Sequence, residues 1–164
     1  MGSGKSVTGA RLALLLGWDF VDLDSYIEHK TGRKIADIFD EGGEDEFRAI
    51  EMEALRDVTV MHTLTHKDMV LALGGGTITI NDAKRIILNE TTCIYLKASP
   101  DTLRARLSLS DVPRPMLKED FEPLLEKREE LYRQAPLSIE TDGLTIEQVA
   151  DKALELIKER RVND

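Results

Sequence analysis

The head of the chain admits few structures: Met1-Gly2-Ser3-Gly4-Lys5-Ser6 runs directly into VTGARLALLLG, a stretch rich in Ala and Leu. Gly4-Lys5-Ser6 supplies the last three positions of the phosphate-binding pattern G-x-x-x-x-G-K-[ST], whose first glycine would fall two residues before Met1. A loop of this kind links the carboxyl end of a buried parallel strand to a helix, and the first amides of that helix hold the phosphates. Gly2 and Gly4 would let backbone N–H groups turn inward, Lys5 would add a point charge, and the Ser6 hydroxyl could ligate Mg²⁺. Taken alone, the triplet also reads as an ordinary glycine-rich helix start.

Helices and strands alternate through the rest of the chain. VTGARLALLLG predicts a helix ending near Gly17, WDFVDLD a strand, and Ser25 onward a helix. EDEFRAIEMEALRDVTVMHTL sets Phe47, Ile50, Leu55 and Val58 at helical spacings, and DMVLALGGG is an apolar run ended by three glycines. NDAKRIILNE predicts a helix capped by Asn81 or Asp82, TTCIYLKA a strand, and SPDTLRARLSL a helix with Ser99 before Pro100. FEPLLEKREELYRQA, LSIET and a terminal helix to about Arg161 complete the pattern, the last opened by a Thr145-x-x-Gln148 capping box. The near-continuous apolar strands imply an α/β fold, a parallel sheet covered on both faces. SLSDVPRPMLKED, about 108–120, reads as the one long loop, a candidate lid.

Bulk properties exclude several classes. The 164 residues, 41% apolar, suffice for one domain, 1–164, with no disulfide or structural metal. Thirty-one acidic against 22 basic residues give a net charge of −9, which disfavours nucleic acid and anionic membrane as partners. The single cysteine, Cys93, lies in an apolar run and excludes an internal disulfide, which fits a cytoplasmic location. No apolar run approaches the ~18 residues of a membrane span.

Several side chains could carry chemistry. Asp22 and Asp24 flank Leu23 at the carboxyl end of the WDFVDLD strand, the end where open α/β sheets bind ligands. One could hold Mg²⁺ through water while the other accepts a hydrogen bond from a substrate hydroxyl; Asp24 could equally cap the following helix. Three consecutive glycines, Gly74 to Gly76, imply that something approaches the backbone closely, although a flexible turn has the same composition. Arg106, Arg114 and Arg133 could be surface charges, whereas Arg48 follows Phe47 on a half-buried helix and could reach inward to a carboxylate. His29, His62 and His66 have no partners that suggest a metal.

In this order, GSGKS, FVDLDSYIE, TGRKIADIFDEGGEDEFRAIE, LALGGG, the RP of the lid and LYRQAP resemble the shikimate kinases, small P-loop phosphotransferases, from Met1 to about Arg133. The resemblance implies a three-layer α/β/α P-loop NTPase fold, with a parallel sheet of strand order 2-3-1-4-5. It implies transfer of the ATP γ-phosphoryl group to the 3-hydroxyl of shikimate, Mg²⁺ as cofactor and a monomer. Gly2, Ser3, Gly4, Lys5, Ser6, Arg106 and Arg114 would bind ATP, with Ser6 and Asp22 at the metal. Asp24, Arg48, Gly75, Gly76 and Arg133 would bind shikimate, within a segment of about 24–56 and its neighbours. Lys5, Asp24 and Arg114 would be catalytic. The 5% aromatic content offers little to stack a nucleobase substrate, which agrees.

Two departures from the family pattern stand out. Ala72 occupies a position in LALGGG where a hydroxyl residue is common. Met1 aligns with a methionine inside the loop, so strand 1 is expected to be missing from the sheet, leaving a chain that is poorly folded or borrows a strand. Two other readings remain open: a kinase of another polyol acid such as gluconate, and a non-catalytic remnant.

Overall fold

The computed structural model describes residues 2–108 and 121–163. Helix α1, Lys5–Leu16, starts after Gly4 and ends at Gly17, both left-handed at φ 84° and φ 67°. The Trp18 N–H returns to the Ala13 carbonyl at 3.0 Å, closing the last turn as such glycine caps do. Strand β1, Asp19–Asp22, then leads without a linker into α2, Leu23–Thr31. Here the strand is shorter than its sequence suggests. Asp22 is the helix cap, accepting the Ser25 N–H at 3.0 Å, and Asp24 lies in the first helical turn, so the capping role considered for Asp24 belongs to Asp22.

Helix α3, Ile35–Thr65, begins earlier than the periodicity predicts, because two helices join across a kink at Gly43 with φ 74° and ψ −170°. Only glycine adopts that conformation readily. Strand β2, Met69–Ala72, the 3₁₀ turn Thr77–Thr79 and α4, Asn81–Asn89, come next. Neither Asn81 nor Asp82 caps α4: the cap position is Ile80, which has no side-chain acceptor to offer. Strand β3, Ile94–Lys97, leads to α5, Pro100–Ser108, where Ser99 Oγ does accept the Thr102 N–H at 3.2 Å. Helix α6, Phe121–Tyr132, strand β4, Leu137–Glu140, and α7, Ile146–Asn163, complete the fold. The capping box is reciprocal, with Thr145 N–H to Gln148 Oε1 at 2.9 Å and Gln148 N–H to Thr145 Oγ1 at 3.3 Å.

All strand pairing among the described residues is parallel. β1 pairs with β2 in the register Asp19 to Met69 through Asp22 to Ala72, and β3 pairs with β4 from Ile94 opposite Leu137 to Lys97 opposite Glu140. Among the described residues nothing joins β2 to β3, so the sheet is two pairs rather than five strands. The four strands stand as the second to fifth of the expected order, and the break falls where that order sets strand 1. A cavity of about 490 Å³ occupies the break, lined by Val70 and Leu71 of β2, Ile94 and Leu96 of β3, Leu12 of α1 and Leu55 of α3.

Two apolar clusters flank these strands, as helices on both faces of a parallel sheet require. One gathers Leu23, Ile27, Ile38, Phe47, Leu55 and Val58 with Ile86 and Ile87 from α2, α3 and α4; the other gathers Leu12, Ile139, Val149, Ala153 and Ile157 from α1, β4 and α7. Among the described residues no helix is long and apolar enough to cross a membrane.

Candidate active site

The carboxyl ends of β1 and β2 and the start of α1 bring most of the candidate residues together. Gly2 and Gly4 take left-handed backbone conformations, φ 67° and φ 84°, on either side of buried Ser3. Lys5 and Ser6 open α1, whose first turn carries no acidic side chain to compete for an anion. Ser6 Oγ donates a short hydrogen bond to Asp22 Oδ2 while Asp22 Oδ1 caps α2. A hydroxyl and a carboxylate are thus paired directly beside the loop. Both are hard oxygen donors, and Mg²⁺ takes one or two such protein ligands, completing its shell with water and phosphate. The residues present fit that ion. Arg106 reaches the loop from α5, with Nη1 3.5 Å from the Gly2 carbonyl.

The recess between α3 and the glycine turn gathers a second set of candidates. Glu51 is completely buried, which a carboxylate tolerates only when its oxygens are satisfied. Both are: Oε2 accepts Arg48 Nη1 at 2.5 Å and Oε1 accepts the Thr77 hydroxyl at 2.5 Å. Arg48 therefore does turn inward, its side chain 16% exposed and its guanidinium 5.3 Å from the centre of the Phe47 ring. The glycine run is explained by these contacts. A Cβ on Gly76 would lie 2.2 Å from Arg48 Nη2, and one on Gly74 would lie 2.8 Å from Glu51 Oε1 and 3.2 Å from Asp24 Oδ1. The backbone is approached by side chains on two fronts, and a Cβ at Gly74 or Gly76 would have to displace them. Gly75 contributes its carbonyl, which accepts the Tyr132 hydroxyl at 2.5 Å and ties α6 to the turn.

Asp24 opens to solvent at the mouth of this recess, yet protein atoms crowd its carboxyl. That burial, reinforced by the negative charges of Asp22 and Glu51 and only partly offset by Lys5, pushes its pKa up to about 6. A carboxylate poised there is ionised at neutral pH and still basic enough to take a proton.

Two candidates stand apart. Arg133 is 69% exposed and bonds Glu129 at 3.1 Å, so it is not drawn onto the Arg48 side of the recess. Arg114 lies outside the described residues, as does all of the candidate lid after Ser108. Sequence reading missed Glu51 and Thr77. A signal for Glu51 was present: Arg48, Glu51, Leu55 and Val58 succeed one another at helical spacing, which places two charges in an apolar stripe. Thr77 gives no such signal, being one hydroxyl after a glycine turn.

A phosphate loop at a helix start, an oxygen pair for a cation, and a recess holding an inward arginine and an activated carboxylate together define a P-loop kinase of a small acidic alcohol. Known proteins sharpen this. The family model for shikimate kinase matches residues 1–158. The shikimate kinase of Chlorobium limicola is 40% identical, over 96% of this chain and 85% of its own length, and that of Thermus thermophilus is also 40% identical, over 94% and 84%. The solved structure of the Acinetobacter baumannii shikimate kinase in complex with shikimate superposes with a TM-score of 0.87 at 36% identity, covering 98% of this chain and 89% of that one. The chain belongs to the shikimate kinase family, a family of ATP-dependent phosphotransferases with the P-loop NTPase fold.

Proposed function

We propose that the chain transfers the γ-phosphoryl group of ATP to the 3-hydroxyl of shikimate, and that the recess on α3 is where shikimate binds. The observation that carries this reading is the Arg48–Glu51–Thr77 cluster: a buried carboxylate fixes an arginine beside a glycine turn, next to an activated Asp24. An arginine fork is the group that recognises a planar carboxylate with two bonds, and shikimate is a carboxylic acid bearing hydroxyls. Family membership supports the same substrate.

In this reading Asp24 accepts the proton of the attacking hydroxyl, whose oxygen forms the new bond to phosphorus as the bond to the ADP oxygen breaks. Lys5 and the amides of Gly2, Ser3 and Gly4 hold the phosphates, as helix-start loops do. Ser6 and Asp22 would hold Mg²⁺, which when bound neutralises charge on the phosphates. Arg106 lies on the nucleotide side. Gly75 and Gly76 line the shikimate side, and Arg133, just after α6, would bind shikimate, with Arg114 a catalytic and ATP-binding arginine. The fold is read as one domain acting as a monomer in the cytoplasm.

ADP release measured with shikimate, and separately with gluconate, tests the substrate. Turnover with shikimate in the ~1–100 s⁻¹ range of kinases is expected; turnover only with gluconate would transfer the assignment to another polyol acid. Arg48→Ala should weaken shikimate binding by about 2–5 kcal/mol while leaving ATP affinity nearly unchanged, as calorimetry on each ligand would show. Equal loss for both ligands would make Arg48 a structural residue.

A further inference from the structure

The Arg48 guanidinium is already occupied by carboxylates from its own helix, and the two carboxylates are not equivalent. Glu51 takes only Nη1, at 2.5 Å, and is completely buried. Glu44, one turn earlier, takes the opposite edge: Nε at 3.2 Å and Nη2 at 3.1 Å both point to its Oε1. Glu44 is 51% exposed. A ligand carboxylate that binds an arginine through two parallel N–H bonds needs an edge with two adjacent donors. With Nη1 committed to a carboxylate that has no path to water, the Nε–Nη2 edge is the one that can be vacated.

We propose that Glu44 is an internal competitor for the substrate carboxylate: it occupies the Nε–Nη2 edge of Arg48 and must swing to solvent when shikimate binds. The inference rests on the assignment of shikimate to this recess. Glu44 and Glu51 together hold the guanidinium, which lies against Gly76. The exchange replaces one carboxylate by another on the same donors, so binding adds no new ion pair at this edge and Glu44 sets the affinity without touching the reacting atoms. It is a positioning residue that acts through Arg48.

The test is a split of kinetic constants. Exposed and half-exposed ion pairs contribute little, so removing this competitor should produce a modest effect. In Glu44→Gln, KM for shikimate should fall roughly two- to fivefold, with kcat and KM for ATP unchanged. Shikimate methyl ester, which has no carboxylate to compete, should show no such fall. Glu44→Asp keeps the charge but shortens the side chain, and should behave like the glutamine variant. An unchanged or raised KM for shikimate in Glu44→Gln overturns the proposal, as does an equal fall for the ester. A wild-type KM in Glu44→Asp would do the same, by showing that charge alone matters. If the unaltered chain fails to turn over shikimate, the underlying assignment fails; if it turns over and Glu44→Gln changes nothing, only this inference does.

Discussion

The recess on α3 and the centre of the sheet are neighbours that solve opposite problems. Around Glu51 the charges are paired and no water is needed: Arg48 and Thr77 satisfy the buried carboxylate, and the glycine turn closes against them. Between β2 and β3 the surroundings are apolar, and among the described residues it is the inner backbone edges that lack strand partners. Two parallel pairs face each other across about 490 Å³, roughly three times the ~150 Å³ engineered apolar cavity that takes up benzene. The polar network is completed by a charge pair three positions apart on one helix and by one hydroxyl from the glycine turn. A parallel sheet is completed only by a strand from elsewhere, because each edge needs a neighbour along its whole length.

The first way to break this contrast is to open the network. Glu51→Ala should destabilise the chain by about 3–5 kcal/mol, the cost of removing one partner from a buried charge pair. Shikimate affinity should fall with it, since Arg48 then loses the contact that turns it inward. Glu51→Gln keeps the shape and an acceptor for Arg48, with its amide donating to the Thr77 oxygen while the Thr77 hydroxyl donates to the Gly74 carbonyl, and should retain most of the stability. Thermal melts of both variants check this, and an alanine variant as stable as the parent would mean that the cluster does not organise the recess.

A second test strikes the nucleotide side. Lys5→Met should lower turnover roughly 10²–10³-fold, because phosphoryl transfer depends on charge placed where charge develops. Stability should not change in step, since Lys5 lies partly exposed at the start of α1. Parallel losses of turnover and melting temperature would show that the loop is held by Lys5 rather than merely using it.

Legibility in the sequence divides along the same line. Features that depend on neighbours along the chain could be read: the glycine that ends α1, the Thr145–Gln148 box and the inward turn of Arg48; the glycine run signalled a close approach but not the distant side chains that make it. Features that depend on where one element stops against another could not. Asp22 rather than Asp24 caps α2 because β1 ends one residue before a helix that starts at once, a boundary that apolar periodicity spanning both elements conceals. Glu51 lay between. Its place in an apolar stripe was visible, but its partner Thr77 comes from 26 residues away, and only the fold joins them.

The centre of the sheet offers a milder comparison, made within single strands. N–H groups of β2 that bond β1, and of β3 that bond β4, should exchange with solvent at least about tenfold more slowly than the alternate N–H groups facing the cavity. Native-state hydrogen exchange on the 164-residue chain reads both sets at once. Uniform protection along β2 and β3 would mean that the inner edges are paired in solution, and would remove the contrast between recess and sheet centre.

The smallest effect is a titration, and it separates activity from stability by sign. With its pKa raised to about 6, Asp24 loses roughly half its ionised form when pH falls from 7 to 6, so kcat/KM for shikimate should about halve over that unit, drop about fivefold over the next and approach tenfold for each unit after that. Stability should move the other way. The folded state binds this proton more readily than the unfolded chain, whose aspartates titrate near ~3.9. The protonated carboxyl therefore contributes stability that is fully present below about 4 and is lost as pH rises through about 6. In the ligand-free chain, this group alone makes the fold firmer on mild acidification while the enzyme slows. Asp24→Asn removes the titrating proton from both states, and should flatten this component of the melting temperature between about pH 4 and 6 while abolishing most turnover. If the asparagine variant keeps the parent's pH–stability slope, the raised carboxyl is not Asp24, and the recess holds its proton on a different residue.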